Sequence, residues 1–188
     1  MAQLRMRFRA IPADFTVPAL PEGYTLGTLN PDTDIMGWIE TCTDGLDTGA
    51  WTPADFQRAM LDPEGLSPDR IFVVRDVAGR VVATATAWPR SDTQGYLHMV
   101  CARPECRGQH LGAIVVQAVM DWFAAHGVTE IRLHTDDFRL AAIKTYLRIG
   151  FLPELYDFDM PARWKEIYRK LDVSFPVYYC RWEEGALR

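Results

Sequence analysis

RPECRGQHLG, residues 103–112, joins two stretches whose apolar spacing changes from that of a strand to that of a helix. The preceding GYLHMVCA, residues 95–102, is typical of a β-strand. The apolar residues that follow recur at the spacing of one buried helical face, and they are Leu111, Ile114, Val115, Ala118, Val119, Trp122 and Phe123. The segment is therefore a strand-to-helix turn, and what this turn can bind decides how the fold is interpreted.

The turn has the composition of an anion-binding site. The first N–H groups of a helix have no carbonyl partners and carry partial positive charge. Gly108 lets the backbone approach a ligand closely, Gly112 allows close packing in the first turn, and Arg107 adds a full charge. These features predict a diphosphate ligand, and the alternative is a tight turn without a ligand. The turn matches neither a Walker loop nor GxGxxG.

Composition limits the class of protein. The chain has 188 residues, a net charge of -5 and 48% hydrophobic residues, which indicates one soluble domain over residues 1–188 and no nucleic-acid partner. Its four cysteines form no CxxC pair, so we expect a reducing compartment and no metal. No apolar run approaches the ~18 residues of a membrane span, so no membrane partner is expected. Leu4, Met6 and Phe8 alternate with polar residues as in a strand rather than a signal peptide, and a cytoplasmic location is expected.

The remaining patterns predict an α/β fold with a mixed, mostly antiparallel sheet. The predicted strands are an N-terminal strand at Leu4–Phe8 and residues 23–29, 70–76, 80–88, 95–102, 130–136 and 175–182. The predicted helices are residues 31–46, 53–61, 111–123, 138–149 and 161–171. Thr52, and either Asp136 or Asp137, are the expected N-caps of two of these helices, and Gly127 and Gly150 are the expected stops. The order places an antiparallel meander before a central β-α-β-α unit.

A second motif, AIKTYLRIGF at residues 142–151, follows the turn by about forty residues. RGQHLG and this motif resemble the R-x-x-G-x-G/A and A-x-x-x-Y-x-x-x-G-F signatures of the GNAT N-acetyltransferases. The resemblance implies a GNAT-like fold whose central β-α-β-α unit binds the cofactor. The implied core is residues 70–152, with N-terminal strands and acceptor-side helices in 1–69 and a C-terminal helix and strand in 153–188. His110 departs from the family's Gly, and Arg139 stands where many members have Asn.

The resemblance also implies acetyl-CoA as the donor. Its diphosphate would bind the amides from Gln109 to Gly112 beside Arg107, and the strand backbone at Val100 and Ala102 would pair with the pantetheine. The implied cofactor-binding residues are Val100, Cys101, Ala102, Arg107, Gly108, Gln109, His110, Leu111, Gly112, Arg139 and Ala142. His110 is interpreted as a solvent-facing residue of the first helical turn, with a phosphate contact as the alternative.

Two residues are candidates for catalysis. The motif spacing implies that Tyr146 is a general acid for the leaving thiolate, and the alternative is a core tyrosine. Regular strand alternation places Tyr96, His98 and Val100 on one face, so His98 is the candidate general base or the anchor of a proton-relay water. Its alternative is a structural histidine, and weaker base candidates are Asp136, His134 and Glu40. Cys101 is expected on the opposite face, which disfavours an acyl-cysteine intermediate.

The acceptor is predicted to be a small primary amine. Residues 31–69 hold nine acidic residues and one basic residue, so this region could attract a cation, although a solvated surface would look the same. The alternative functions are a non-catalytic acyl-CoA-binding module and an unrelated α/β nucleotide-binding protein. A homodimer is also possible, because the C-terminal strand could pair across a two-fold axis.

Overall fold

A computed structural model describes residues 2–10, 15–46, 49–174 and 180–181 of the chain. These residues fall into two compact units, one formed by residues 1–15 with 132–188 and the other by residues 16–131. The strands are β1 (Leu4–Phe8), β2 (Thr25–Thr28), β3 (Ile71–Arg75), β4 (Val81–Pro89), β5 (Gln94–Ala102), β6 (Glu130–Thr135), β7 (Phe151–Leu155) and β8 (Cys180–Arg181). The helices are α1 (Ile35–Leu46), α2 (Pro53–Phe56), α3 (Leu111–Ala125), α4 (Leu140–Ile149) and α5 (Met160–Leu171).

The larger unit is an antiparallel meander of β2, β3, β4 and β5 with helices on both faces. On one face α1 packs against β4, where Trp38 Nε1 donates a hydrogen bond to Thr84 Oγ1 at 3.0 Å. On the other face α3 covers β5 so closely that a Cβ built on Gly95 would lie 2.5 Å from Cε1 of Phe123. Both faces of β4 are consequently buried, as its continuous run of apolar and Thr residues requires.

A β-bulge interrupts the pairing of β4 with β5. Thr86 lies opposite His98 and Thr84 lies opposite Cys101, so β5 has one more residue than β4 between these two pairs. Met99, inside this interval, has a φ of 47°. An extra residue in one strand leaves backbone groups outside the hydrogen-bond ladder and turns the side chains that follow it.

In the smaller unit, β1 pairs antiparallel with β6 on one side and with β7 on the other, and β8 runs parallel to β7. Leu4 and Met6 are fully buried while Arg5 and Arg7 are only half-buried, which confirms the predicted N-terminal strand. Helices α4 and α5 pack on β7 and on each other.

The predicted fold class and the central order β5-α3-β6-α4 are confirmed. Thr52 caps α2 as predicted, because its hydroxyl accepts from the Asp55 amide. Gly127 and Gly150 adopt positive φ after their helices, which is the conformation that a helix stop of this kind needs. None of the helices in the described part of the chain is long and apolar enough to span a membrane.

Several boundaries differ from the prediction. The first helix begins at Ile35 instead of residue 31, since Asp34 folds back to accept a hydrogen bond from the Asn30 amide. Strand β7 was not predicted, because the glycine stop of α4 is followed at once by a strand with no polar residue between them. Of the predicted strand 175–182, the structure describes only Cys180–Arg181, and the other residues lie outside the described ones.

The predicted capping of α4 is wrong. Arg139 occupies the N-cap position, and no side chain caps the helix there. Asp136 instead accepts a hydrogen bond from Arg139 Nε at 3.0 Å, and Asp137 forms an ion pair with Arg163. Each carboxylate is more strongly held by a full positive charge than it would be by backbone amides.

Candidate functional site

The turn at residues 103–112 presents a run of backbone donors. A single 3-10 turn at Pro104–Cys106 is followed by Gly108 at φ 81° and by His110, which is the N-cap of α3. The carbonyl oxygen of His110 accepts the first helical hydrogen bonds, from Ala113 and Ile114. Within the described residues, no acceptor is recorded for the amides of Gly108, His110, Leu111 and Gly112. Four N–H groups therefore remain for a ligand or for solvent.

His110 does not lie in the first helical turn, so this part of the prediction is wrong. Its backbone is left-handed, with φ 59° and ψ 16°, and its side chain is exposed as expected. The chain must reverse direction between the 3-10 turn and α3, and the family pattern has Gly here because Gly adopts positive φ without strain. The departure from Gly was visible in the sequence, but the conformation required at that position was not.

The residues present fit a diphosphate. A Cβ built on Gly108 or on Gly112 would meet no heavy atom within 4 Å, so open space lies beside both residues. The Arg107 side chain is exposed next to them. Unpaired amides, an accessible backbone and a nearby guanidinium are the features that bind phosphate groups at helix N-termini.

Arg103 holds the start of the turn, and sequence reasoning missed it. The residue is 8% exposed, and its Nη2 donates to Glu40 Oε2 at 2.7 Å. Its Nε lies 3.2 Å from both Thr41 Oγ1 and the carbonyl oxygen of Val81. The signal in the sequence was an Arg directly after a buried strand, with acidic residues available as counter-charges in the first helix and at Glu105.

Of the nine acidic residues in the 31–69 region, Asp34, Glu40 and Asp55 are held by partners. Asp34 is buried and forms an ion pair with Arg75. Glu40 pairs with Arg103, and Asp55 belongs to the capping box of α2. The Arg75 guanidinium and the Asn30 amide outweigh the effect of burial and hold the pKa of Asp34 below its usual value. The steering of a cation by this region stays a prediction.

His98 lies in a ring cluster on β4 and β5. Its imidazole centroid is 5.2 Å from that of Trp88 and 5.7 Å from that of Tyr96. Burial, with the charge of Arg90 as a smaller cause, lowers the pKa of His98 to about 4. The ring is therefore neutral at neutral pH and has a lone pair that can accept a proton.

The bulge overturns the predicted face pattern of β5. Cross-strand partners share a face, and Thr84 and Thr86 are two residues apart, so His98 and Cys101 point to the same side of the sheet. The regular alternation that would have placed Val100 beside His98 is broken between them. Cys101 Sγ lies 3.4 Å from Cys42 Sγ and 3.5 Å from the Thr41 carbonyl oxygen, against α1. Cys101 is thus buried among helix residues, and burial also raises the pKa of the Cys42 thiol.

The other predicted residues lie on α4 in the smaller unit. Tyr146 is 5% exposed, and its ring meets Phe151 edge-on at 6.1 Å between centroids. Ala142 is half-buried on the same helix, and Arg139 stands at its start. The catalytic role of Tyr146 stays a prediction.

A cleft of about 580 Å³ opens at the tip of the β4-β5 hairpin, and sequence reasoning did not anticipate it. Residues 63–65 form one side and residues 88–92 the other. Trp88 is held there by a 2.9 Å hydrogen bond from its Nε1 to the carbonyl oxygen of Glu64, and the Arg90 guanidinium lies 4.3 Å from its ring centroid. Trp88 therefore connects this cleft to His98. Among the described residues, no three His, Cys, Asp or Glu side chains form a group that could hold a metal ion.

Comparison with known proteins gives consistent matches. The model of the Acetyltransferase (GNAT) family matches residues 33–151, which include the turn at 103–112 and α4. The mycothiol acetyltransferase of Thermobispora bispora is 28% identical, over 78% of this chain and 52% of that protein. The mycothiol acetyltransferase of Salinispora arenicola is also 28% identical, over 76% of this chain and 49% of that protein. The chain thus spans about half the length of these curated relatives.

Solved structures agree on the fold. A GCN5-related N-acetyltransferase from Sphaerobacter thermophilus superposes with a TM-score of 0.66 at 20% identity, over 81% of this chain and 48% of that one. A second GCN5-related N-acetyltransferase, from Kribbella flavida, has a TM-score of 0.55 at 20% identity, over 81% of this chain and 55% of that one.

Proposed function

Because this chain belongs to the acetyltransferase (GNAT) family, we propose that it transfers an acetyl group from acetyl-CoA to the primary amine of a small, cationic acceptor. The observation that carries the proposal is the group of amides at Gly108, His110, Leu111 and Gly112, which have no acceptor among the described residues and lie beside the exposed Arg107. The predicted donor Gln109 is not part of this group, because its amide donates to the carbonyl oxygen of Cys106 at 3.4 Å. A diphosphate is the ligand group that satisfies such donors best. Acetyl-CoA supplies the diphosphate and, at its other end, the reactive thioester.

The bulge in β5 supports the placement of the thioester. Met99 and Val100 have no paired residue in β4, and we propose that their backbone groups bind the thioester end of the donor. An amide there can donate to the thioester oxygen and stabilise the negative charge that develops on it. Cys101 and Ala102, one and two residues further along, continue the strand toward the turn.

Acetyl transfer also needs two proton movements. The acceptor nitrogen forms a bond to the acetyl carbon while the carbon–sulfur bond breaks, and the nitrogen must lose a proton. We propose that His98, which is neutral at neutral pH, is the general base that accepts this proton. The departing sulfur must gain a proton, and Tyr146 is the proposed donor. Cys101 is not used as a nucleophile, because its sulfur faces α1.

A small-molecule acceptor is favoured for two reasons. The curated relatives at 28% identity are named mycothiol acetyltransferases, and that name describes a small-molecule substrate. The cleft at the β4-β5 hairpin is also of small-molecule size. Its charged lining residues are Glu64, Asp92 and Arg90, so two carboxylates that can attract a cationic amine stand against one guanidinium.

The test is a release assay for coenzyme A thiol with acetyl-CoA and a panel of primary amines, run at several pH values on the wild type and on Tyr146→Phe. Thiol release that depends on an amine supports the proposed reaction. We expect Tyr146→Phe to lower kcat about 10²-fold while acetyl-CoA still binds, because only the hydroxyl is lost. An unchanged kcat would show that Tyr146 is a core tyrosine and not the general acid. Acetyl-CoA binding without thiol release from any amine would favour the alternative of a non-catalytic acyl-CoA-binding module.

A further inference from the structure

Thr86, in the middle of β4, carries a buried hydroxyl without a hydrogen-bond partner. Its side chain is 0% exposed, and no partner is recorded for its Oγ1 among the described residues. Thr84, two residues away on the same face, shows the usual arrangement, since its Oγ1 accepts from Trp38 and donates to the carbonyl oxygen of Phe72 at 2.9 Å. A buried hydroxyl left unpaired costs about 1–3 kcal/mol, so its presence at position 86 calls for a reason.

The neighbour of Thr86 across the sheet is His98. The two residues lie directly opposite each other in the antiparallel pair, where Cβ atoms are roughly 4.5–5.5 Å apart. Their side chains therefore lie side by side on the same face of the sheet. The bulge begins at the next residue, Met99, so polar backbone groups outside the ladder lie close by.

A water molecule satisfies these groups better than any part of a substrate. A buried water needs 2–4 polar partners, and this point of the sheet offers the Thr86 hydroxyl, an imidazole nitrogen of His98 and the backbone of the bulge. An acceptor molecule cannot reach Thr86 itself, because that side chain has no exposed surface. It can reach His98, which is only half-buried.

We propose that Thr86 is a positioning residue that holds a water molecule against the imidazole of His98, and that this water relays the proton of the acceptor amine. The inference rests on the proposed function. In the relay, the nitrogen gives its proton to the water oxygen as the bond to the acetyl carbon forms. The water passes one of its own protons to the free imidazole nitrogen of His98. The water is thereby restored at once, and His98 becomes neutral again when it returns its proton to solvent.

Two aromatic rings and one charged side chain surround the imidazole of His98. Trp88 and Tyr96 cover the sides of the imidazole, and Arg90, at the tip of the hairpin, is the charged group whose field lowers the affinity of His98 for a proton. A water hydrogen-bonded to the imidazole offsets part of the effect of burial. It therefore favours protonation of His98 at the moment of transfer.

The experiment compares Thr86→Val with Thr86→Ser, since valine has the shape of threonine without the hydroxyl and serine keeps the hydroxyl. We expect Thr86→Val to lower kcat about 10-fold to 100-fold, to leave the Kd of acetyl-CoA unchanged and to lower the NMR-measured pKa of His98. Thr86→Ser should retain both the rate and the pKa. Stability should not fall in Thr86→Val, because the hydroxyl has no protein partner to lose, whereas Thr84→Val should lower the melting temperature through loss of the Trp38 hydrogen bond.

An unchanged kcat together with an unchanged His98 pKa in Thr86→Val would overturn the inference, as would an equal loss of rate in Thr86→Ser. If the wild type releases no thiol with any amine, the proposed function fails. The titration of His98 in the wild type and in Thr86→Val still decides whether the hydroxyl holds a water against the ring.

Discussion

At the scale of single residues, His110 shows how a local conformation departs from what its residue type prefers. The residue is left-handed at the exact point where the chain turns into α3, and a side chain with a Cβ costs about 1–2 kcal/mol there relative to Gly. The strain lies between the amides that we propose as the diphosphate site. The left-handed backbone at His110 sets the direction of the N–H groups on either side of it, so the strain is tied to the geometry of the proposed site.

We expect His110→Gly to be more stable than His110→Ala by about 1 kcal/mol. Both variants remove the imidazole, and only Gly removes the steric penalty of positive φ. Urea unfolding of the two variants measures the difference. Equal midpoints would mean that this residue is not left-handed in solution.

His98 gives a pH-dependence of stability. The pKa of its imidazole is about 4 in the folded chain and roughly 6.5 in the unfolded one, so between these values the unfolded chain binds a proton that the folded chain does not. The free energy of unfolding should therefore decrease as the pH falls from 6.5 to 4, by at most about 3 kcal/mol.

Urea unfolding at pH 7, 6 and 5 checks this expectation, with His98→Gln as the control that cannot titrate. Asp34, whose pKa lies below the usual carboxyl value, loses its stabilising charge only at lower pH and leaves this window unaffected. The same pH slope in the wild type and in His98→Gln would contradict the expectation.

At the scale of elements, regular structure was predictable and its irregularities were not. Alternation in Leu4, Met6 and Phe8 predicted β1, and the apolar face from Leu111 to Phe123 predicted α3, because burial of one face imposes these periods. The bulge at Met99 left no such trace, since it depends on how β4 pairs with β5. The face of β5 that carries His98 was therefore predicted from a regular pleat that the strand does not have.

Arg103, directly after β5, joins this strand to α1 by hydrogen bonds to Glu40 and Thr41. We expect Arg103→Met to lower the free energy of unfolding by about 1–3 kcal/mol, because a buried guanidinium with several acceptors is lost. Arg80→Met is the matched control. Arg80 forms a surface pair with Asp76 and is 62% exposed, so solvent screens the pair and its loss should cost much less than the loss of Arg103. Chemical denaturation measures the free energy of unfolding of both variants. An equal decrease in the two would contradict a stabilising role for Arg103 between β5 and α1.

At the scale of the whole molecule, two short motifs, RGQHLG and AIKTYLRIGF, were enough to predict the family, because the two together at this separation are far more specific than either alone. The family match over residues 33–151 confirms that prediction. The candidate site was predictable only where it uses backbone amides, as at Gly108 to Gly112. Arg103, Thr86 and the hairpin cleft depend on contacts between distant parts of the chain, and no local pattern encodes them.

Binding of coenzyme A should stabilise the molecule as a whole. A ligand present at 100 times its Kd adds about 2.7 kcal/mol, which for a chain of this length raises Tm by about 5–10 °C. Differential scanning fluorimetry with coenzyme A measures the shift, and Arg107→Ala should reduce it at the same ligand concentration. A shift with ATP and none with coenzyme A would favour an unrelated nucleotide-binding protein.

The contact at Gly95 has a consequence for engineering this protein. Because the ring of Phe123 and Cγ1 of Val128 occupy the space that a Cβ at position 95 would need, the three positions are coupled. A library that randomises position 95 alone would mostly destabilise the protein. A library that varies it together with positions 123 and 128 could reach new packings, so these three positions must be diversified jointly.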